Sequence, residues 1–350
     1  RRDTRSGRGL TAAAMRFLPL GVDDAVGCIL GHNIVDGEGR RRLRKGKVLE
    51  SADADTLRGL GREVVYVAEL APDDVREDEA ADRVAAASCG RNLRLTAART
   101  GRVNAYATHL GLLRMDAERL LALNLIDGLH MATRQPNAVV RPDMIAATLK
   151  VVPYAVAASA IADAAELGDA LWVDPLAPRR VGLVLTGSPG SRGRVVKSFT
   201  RALGARLEDL GSSVAETRYV SVDDDDGEMR LSGEIERLGR SVDVLILAGE
   251  TAVVDRADIA PRAVERAGGE VVCYGAPVDP GNLLLLARLG PVPVLGAPGC
   301  ARSPMANIVD LVLPRLLAGD ALDREDVARL GVGGLLDDVP ERPMPRRRAG

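Results

Sequence analysis

The sequence is poor in aromatic residues. Phe, Tyr and Trp make up 2% of its 350 residues, as two Phe, five Tyr and one Trp. With 46% hydrophobic residues overall, its cores must be aliphatic and Ala-rich. No charge of either sign dominates: 47 Lys and Arg against 49 Asp and Glu leave a net charge of −2. A concentrated basic excess is the footprint of a nucleic-acid or anionic-membrane partner, so neither is expected. The local basic clusters at 40–45 and 345–348 read as a solvated loop and a solvated tail. No apolar run reaches the ~18 residues that a membrane span requires.

Cysteine and histidine are equally sparse. Cys28, Cys89, Cys273 and Cys300 are far apart in sequence, with no CxxC, and the three His stand at no metal-ligand spacing. This pattern excludes a disulfide framework and fits a reduced, cytoplasmic protein. Cys28, Cys89 and Cys273 sit in apolar runs and read as buried. Residues 1–14 lack the apolar segment of a secretory signal, and the fold is expected to start at Met15, after a disordered extension.

What the chain does contain is alternation of short apolar runs with amphipathic helical stretches. Its length predicts two or three domains. Residues 15–72 read as an N-terminal α+β unit: a short helix and strand in 23–35, a turn at Lys45-Gly46, a helix capped within 51–55 and ended by Gly61, and a strand over 64–67. Residues 73–172 read as a middle α+β unit. It starts with a helix whose acidic first turn suits the helix dipole, and includes an irregular loop over 130–143. Its apolar run 144–156 contains Pro153, which predicts an edge or terminal strand rather than a central one. The Pro-rich segment 173–180 is the expected linker, and 320–350 the expected appendage and tail.

Residues 181–319 form the unit around which the rest is organised. Strands are predicted over 180–187, 213–222, 242–249, 270–278 and 292–299, with helices over 195–211, 258–269 (closed by Gly268-Gly269) and 303–319 and an acidic loop leading into a helix over 223–239. Strands alternating with helices imply a three-layer α/β domain with a mostly parallel sheet. Three Gly-rich loops follow strands: LTGSPGSRG (185–193), LAGETAVVDRAD (247–258) and LGAPGCARSP (295–304). Ligands of open α/β sheets collect at the carboxyl ends of strands, so three such loops on one domain suggest one ligand site.

Taken in order with SVDDDD (221–226) and VDPGN (278–282), these loops resemble the molybdopterin-binding domain of molybdenum-cofactor biosynthesis proteins over about 140 residues. The front of the chain, through DDAVGCIL and LRKGKVLESADADTLRGLG, is similar to segments of the larger molybdotransferase-type members. Some relatives carry a cytidylyltransferase domain afterwards, which this sequence is not expected to include. The pattern departs from the family in three places. Ser188-Pro189-Gly190 stands where an acidic pair usually follows Thr-Gly. Ala248-Gly249-Glu250-Thr251 replaces Gly-Gly-Thr-Gly, and Cys300 and Arg302 stand where smaller or amide residues are usual.

The resemblance implies a site for molybdopterin or its adenylylated form, with other cofactor-biosynthesis proteins as partners and a homo-oligomeric assembly. It places Thr186, Gly187, Ser188, Gly190, Ser191 and Arg192 at the ligand, with the following helix N-terminus favouring phosphate. Gly249, Glu250 and Thr251 form a second contact. Pro280, Gly281 and Asn282, with Asp279, form a third, and Pro298, Gly299, Cys300, Arg302 and Ser303 a fourth. Asp258 is the candidate catalytic acid and Mg²⁺ ligand, with Asp255 as its alternative; the structural reading of Asp258 is a helix N-cap. Asp224, within Asp223–Asp226, is a second candidate Mg²⁺ ligand, the other reading being solvated surface. Three functions stay open: a molybdotransferase-like enzyme, a non-catalytic carrier that passes the cofactor on, and a nucleotide- or sugar-binding protein unrelated to molybdenum.

Overall fold

The computed structural model describes residues 15–336. The extension 1–14 and the basic cluster 345–348 lie outside the described residues. The chain divides into two compact units, one ending at Val173 and the other starting at Asp174, with the short segment Leu110–Leu112 belonging to the second. The strand Leu171–Pro175 takes up part of the expected linker, which shrinks to the irregular residues 176–179. No helix among the described residues is long and apolar enough to cross a membrane.

The first unit holds two apolar clusters. One gathers Leu30, Leu57, Val65, Val67 and their neighbours around an antiparallel sheet in which Val64–Glu69 pairs with Arg16–Gly21 and Ile29–Leu30. The helix Ser51–Gly59 docks on it, capped by Glu50 and Asp53. The buried Asp53 carboxylate takes the Glu50 amide at 2.9 Å and the Lys47 ammonium at 2.5 Å. No helix forms in 23–35, because residues 22–27 turn repeatedly before the strand.

The second cluster is built on Ala80, Val84, Leu113, Leu129, Leu149 and Val151. Its four-stranded sheet has the order Leu129–Thr133, Ile145–Val151, Arg102–Ala107, Leu93–Leu95. The expected edge strand is therefore central, paired on both sides. Pro153 lies two residues beyond its end and removes no ladder hydrogen bond. The expected irregular loop 130–143 instead contains two strands.

In the second unit all five expected strands form, the first over its full expected range and the other four shorter, and a sixth joins them. The sheet order is Ser213–Ser221, Arg180–Gly187, Val244–Gly249, Val292–Ala297, Leu285–Leu289, Glu270–Tyr274. The first three pairings are parallel and the last two antiparallel, so the α/β unit has a mixed six-stranded sheet. The additional strand Leu285–Leu289 returns to Val292–Ala297 through a tight Gly290-Pro291 hairpin. Gly290 adopts φ +58°, which a two-residue hairpin of right-handed strands requires at its first position.

Helices Gly227–Gly239 and Ile259–Arg266 share an apolar cluster with the sheet through Leu231, Ile235, Leu238, Ala263 and Val264. Helix Arg192–Asp209 buries Val195, Phe199, Leu203 and Leu207 at its own four-residue spacing. Full burial of Phe199 alone is worth about 2–3 kcal/mol. These helices fix the loops that leave the carboxyl ends of the parallel strands.

Candidate functional site

The strand Arg180–Gly187 is apolar and buried from Val181 to Leu185, and after Gly187 the chain runs through one 3-10 turn, Pro189–Ser191, into the helix Arg192–Asp209. Gly187 is required by close approach. A Cβ there would lie 2.6 Å from Ser191 Oγ and 2.8 Å from Tyr219 Oη. Buried Ser191 donates to the Ser188 carbonyl at 3.0 Å, and the Tyr219 hydroxyl donates to the same carbonyl at 2.6 Å. Together they hold the first loop in one shape. The Arg192 guanidinium lies over the Tyr219 ring at 5.8 Å. Gly190 is exposed, with open space where a Cβ would stand.

The second loop leaves the neighbouring strand Val244–Gly249 and comes back onto the first. The Glu250 amide donates to the Thr186 carbonyl at 2.9 Å, and a Cβ on Gly249 would collide with Thr186 Oγ1. Glu250 Oε2 then accepts the Ser188 amide at 3.2 Å and the Ser188 hydroxyl at 3.1 Å, while Oε1 accepts from Arg194 at 2.7 Å. The Ser191 hydroxyl and the Ser188 amide and hydroxyl, with the Arg194 charge, hold the Glu250 carboxyl below the usual glutamate range. The acid missing from the first loop's sequence thus reaches it from the second. A carboxylate occupies the donors expected to meet a phosphate.

Thr186, Gly249 and Thr251 also line a small cavity with Ala252, Val253, Leu283, Gly296 and Ala297. All three Gly-rich loops, or the strand ends from which they spring, are represented around it. Its volume is about 30 Å³, close to the share of one liquid water and far below the several hundred Å³ of a small-molecule pocket.

The third loop is built differently from the expectation. Pro298 leads into a 3-10 turn, Gly299–Arg302, and the α-helix starts only at Ile308, not at Ser303. Buried Asn307 caps it, accepting the Val309 amide at 3.0 Å, and Asp310 accepts the Asn307 amide at 2.9 Å. Arg302 donates to the Gly299 carbonyl at 3.1 Å and lies over Phe199 at 5.4 Å. Ser303 Oγ accepts the Met305 amide at 3.1 Å. Cys300 is half-buried, and burial raises its thiol pKa. Arg302 and Ser303 therefore do not stand at the N-terminus of that α-helix. The segment is held instead by Arg206, which donates to Asp310 at 2.8 and 3.2 Å and to the carbonyls of Ala301, Ser303 and Met305 at 3.2, 2.9 and 3.1 Å.

The turn at Pro280, Gly281 and Asn282 packs against that helix. The Pro280 carbonyl accepts the Ile308 amide at 3.1 Å, and Gly281, at φ +141°, leaves no space for a Cβ beside Ile308. Asn282 uses its carbonyl to accept the Ala276 amide at 2.9 Å.

The candidate acids have structural partners. Asp258 occupies the N-cap position of Ile259–Arg266, but its carboxylate points back and accepts the amides of Val254 at 2.6 Å and Asp255 at 2.9 Å. Asp255 accepts the Ala257 amide at 2.7 Å. Asp224 pairs with Arg230 at 2.6 Å; that contact, with the Asp226 and Gly227 amides, keeps its carboxyl below the usual range. Among the described residues no group of three or more His, Cys, Asp and Glu is placed to hold a metal ion.

Sequence reasoning missed Arg194, Arg206 and Tyr219, whose partners lie 28 to 104 residues away. It also missed the Asn307–Asp310 cap, whose spacing was open to reading.

Fold and loops define an α/β protein with a loop cluster at the carboxyl ends of its parallel strands. Residues 19–69 match the model of a domain of unknown function (DUF8806). No curated protein matches the chain. Among solved structures, a molybdenum cofactor biosynthesis protein from Pyrococcus furiosus aligns with 87% of this chain at 13% identity and a TM-score of 0.24. The alignment spans 64% of that protein, less than two thirds of its length. A molybdopterin biosynthesis MoeA protein from Pyrococcus horikoshii aligns with 87% of this chain and 75% of its own, at 15% identity and a TM-score of 0.32. The molybdopterin biosynthesis enzyme MoaB from Thermus thermophilus aligns with 41% of this chain and 98% of its own, at 18% identity and a TM-score of 0.28.

Proposed function

We propose that this chain is a molybdopterin-binding protein of molybdenum-cofactor biosynthesis, with residues 181–319 as a three-layer α/β binding domain. One observation carries the reading: the Ser188 amide and hydroxyl and the Arg194 guanidinium converge on one anion at the carboxyl ends of the parallel strands. That anion is the chain's own Glu250. A phosphate has the same hydrogen-bonding demand as a carboxylate, and guanidinium binds both. The donor set therefore suits the phosphate of molybdopterin or of its adenylylated form. The small cavity beside it does not accept a tricyclic ring as it stands, so entry of the pterin requires Glu250 and the 251–257 segment to move aside.

In this reading Thr186, Gly187, Ser188, Gly249 and Thr251 form the floor, and Arg192 and Arg194 neutralise phosphate charge. Gly281, Cys300, Arg302 and Ser303 support the neighbouring wall through the contacts described above. Mg²⁺ would arrive with the phosphates and take a single protein carboxylate, Asp258. The carrier reading is favoured over the enzyme because Asp258 and Asp224 are both engaged, one with backbone amides and the other with Arg230. Anaerobic titration with molybdopterin tests the binding claim, and absence of saturable binding would overturn it. Release of AMP from adenylylated molybdopterin with molybdate and Mg²⁺ would overturn the carrier reading in favour of the enzyme.

A further inference from the structure

A wide concavity belongs to the first unit, and none of the loops above contributes to it. It has a volume of about 1230 Å³. Its walls come from the turn 44–47, the segment 76–78, the turn 99–102, the segment 150–154, and Phe17. Seven cationic side chains line it: Arg44, Lys45, Lys47, Arg76, Arg99, Arg102 and Lys150.

Only two acids line the same cleft, and both are engaged. Asp78 accepts the Gly101 amide at 2.6 Å, and Glu77 accepts from Lys150 at 3.2 Å. Lys150 also donates to the Thr100 carbonyl at 2.6 Å, and Lys47 is paired with Asp53. Arg44, Lys45, Arg76, Arg99 and Arg102 are exposed and have no carboxylate partner among the described residues.

The contrast within one basic run is informative. Arg40 and Arg42 pair with Asp36 at 3.1 and 3.7 Å, whereas Arg44 and Lys45 face the cleft unpaired. In a chain of net charge −2, five unneutralised cations around one concavity repel each other. A low-dielectric wall focuses their field on whatever anion enters.

An aromatic element adjoins the charge. Phe17 lines the cleft, is 46% exposed and stacks on the 51% exposed Tyr66, ring centroids 5.9 Å apart and planes at 23°. Tyr154, a second lining ring, is fixed by a 2.9 Å hydrogen bond from its hydroxyl to the Gly31 carbonyl. In a chain with so few aromatics, exposed flat rings next to unpaired guanidinium groups suit a ligand with a planar ring and phosphates.

We propose that this cleft binds a phosphorylated heteroaromatic small molecule of the nucleotide class. Its ring packs on Phe17, and its phosphates lie among Arg44, Arg76, Arg99 and Arg102. The proposal does not rest on the molybdopterin reading.

The test is calorimetric titration of the full chain with ADP, inorganic pyrophosphate and adenosine, and with a mixed-sequence single-stranded oligonucleotide. ADP is expected to bind one to one, more weakly as salt rises and more tightly than pyrophosphate or adenosine. The exposed, unpaired positions allow a double variant, Arg44→Ser with Arg102→Ser, whose fold circular dichroism can verify. It should weaken ADP at least about tenfold. Phe17→Leu should weaken ADP several-fold and leave pyrophosphate unchanged. No ADP binding, or unchanged ADP affinity in the folded double variant, would overturn the proposal. So would oligonucleotide affinity above that of ADP, which would mark a nucleic-acid surface. Loss of ADP binding in Arg194→Ser would move the site to the second unit and also overturn it, whatever the fate of the molybdopterin reading.

Discussion

The Glu250 carboxylate accepts both the amide and the hydroxyl of Ser188, 62 residues earlier in the chain. Two Gly-rich loops from adjacent parallel strands are thereby latched by an internal anion. This latch identifies the groups that would bind a phosphate once Glu250 leaves.

The latch has a definite pH dependence. The Glu250 carboxyl titrates below its ordinary value, so its stabilisation is complete above the unfolded glutamate range, about pH 4.3, and is lost as pH falls through the lowered folded value. Glu250→Gln should be less stable than wild type at neutral pH, and the difference should shrink toward zero as pH falls through the lowered folded value. Urea denaturation of both proteins at several pH values measures this. A pH-independent difference would show that the charge of Glu250 does not form the latch.

Arg206 has five of its hydrogen bonds invested in the segment 301–310 while only 11% of its side chain is exposed. Arg206→Met keeps much of the apolar stem and removes every donor. Three carbonyls and one half-exposed carboxylate then lose partners, for an expected loss of about 2–4 kcal/mol. Hydrogen exchange should rise first in residues 300–306, and unchanged protection there would refute the assignment.

Gly281→Ala should destabilise by about 2–4 kcal/mol, combining overpacking with backbone strain. The added Cβ meets the β-branched Ile308 side chain and its backbone nitrogen, which lies 3.0 Å away, and φ is +141°. Gly190→Ala, where nothing stands within 4 Å of the added Cβ, is the contrast and should cost less than about 0.5 kcal/mol. Equal effects in chemical denaturation would contradict the packing account.

The thiols should be poorly reactive in the folded protein. Burial pushes Cys89 up to about 12, with Asp169 adding to the shift, and burial also raises Cys28, Cys273 and Cys300. Since the thiolate is the nucleophile, a shift from 9.0 to about 12 lowers its population near pH 8 about a thousandfold. Iodoacetamide labelling followed by mass spectrometry should find Cys89 the slowest of the four. Rapid labelling of Cys89 in the native state would contradict its burial.

The strands of the second unit were legible because buried parallel strands are short apolar runs bounded by Gly-rich turns. The strand Leu285–Leu289, interrupted by Arg288, runs on from Leu283 and Leu284 with no turn signal to mark its start. Its one signal, Gly290-Pro291, only gains meaning once the partner strand is known. The position of Ser303 was misjudged because the cap, Asn307 with Asp310, outcompetes Ser303 for the helix start. In the first unit the strand ends at Val151, so Pro153 lies outside it although the apolar run continues to 156. The Glu250–Ser188 latch and the Arg206 clasp were not legible: each depends on which side chains topology brings together across 62 to 104 residues.

The most direct test of the account is anaerobic titration of molybdopterin into wild type and Glu250→Gln, followed by calorimetry at neutral pH. The account predicts saturable one-to-one binding to wild type. It predicts about tenfold tighter binding to the variant, because the internal anion no longer competes for Ser188 and Arg194. No binding to either protein, or equal affinity for both, would contradict it.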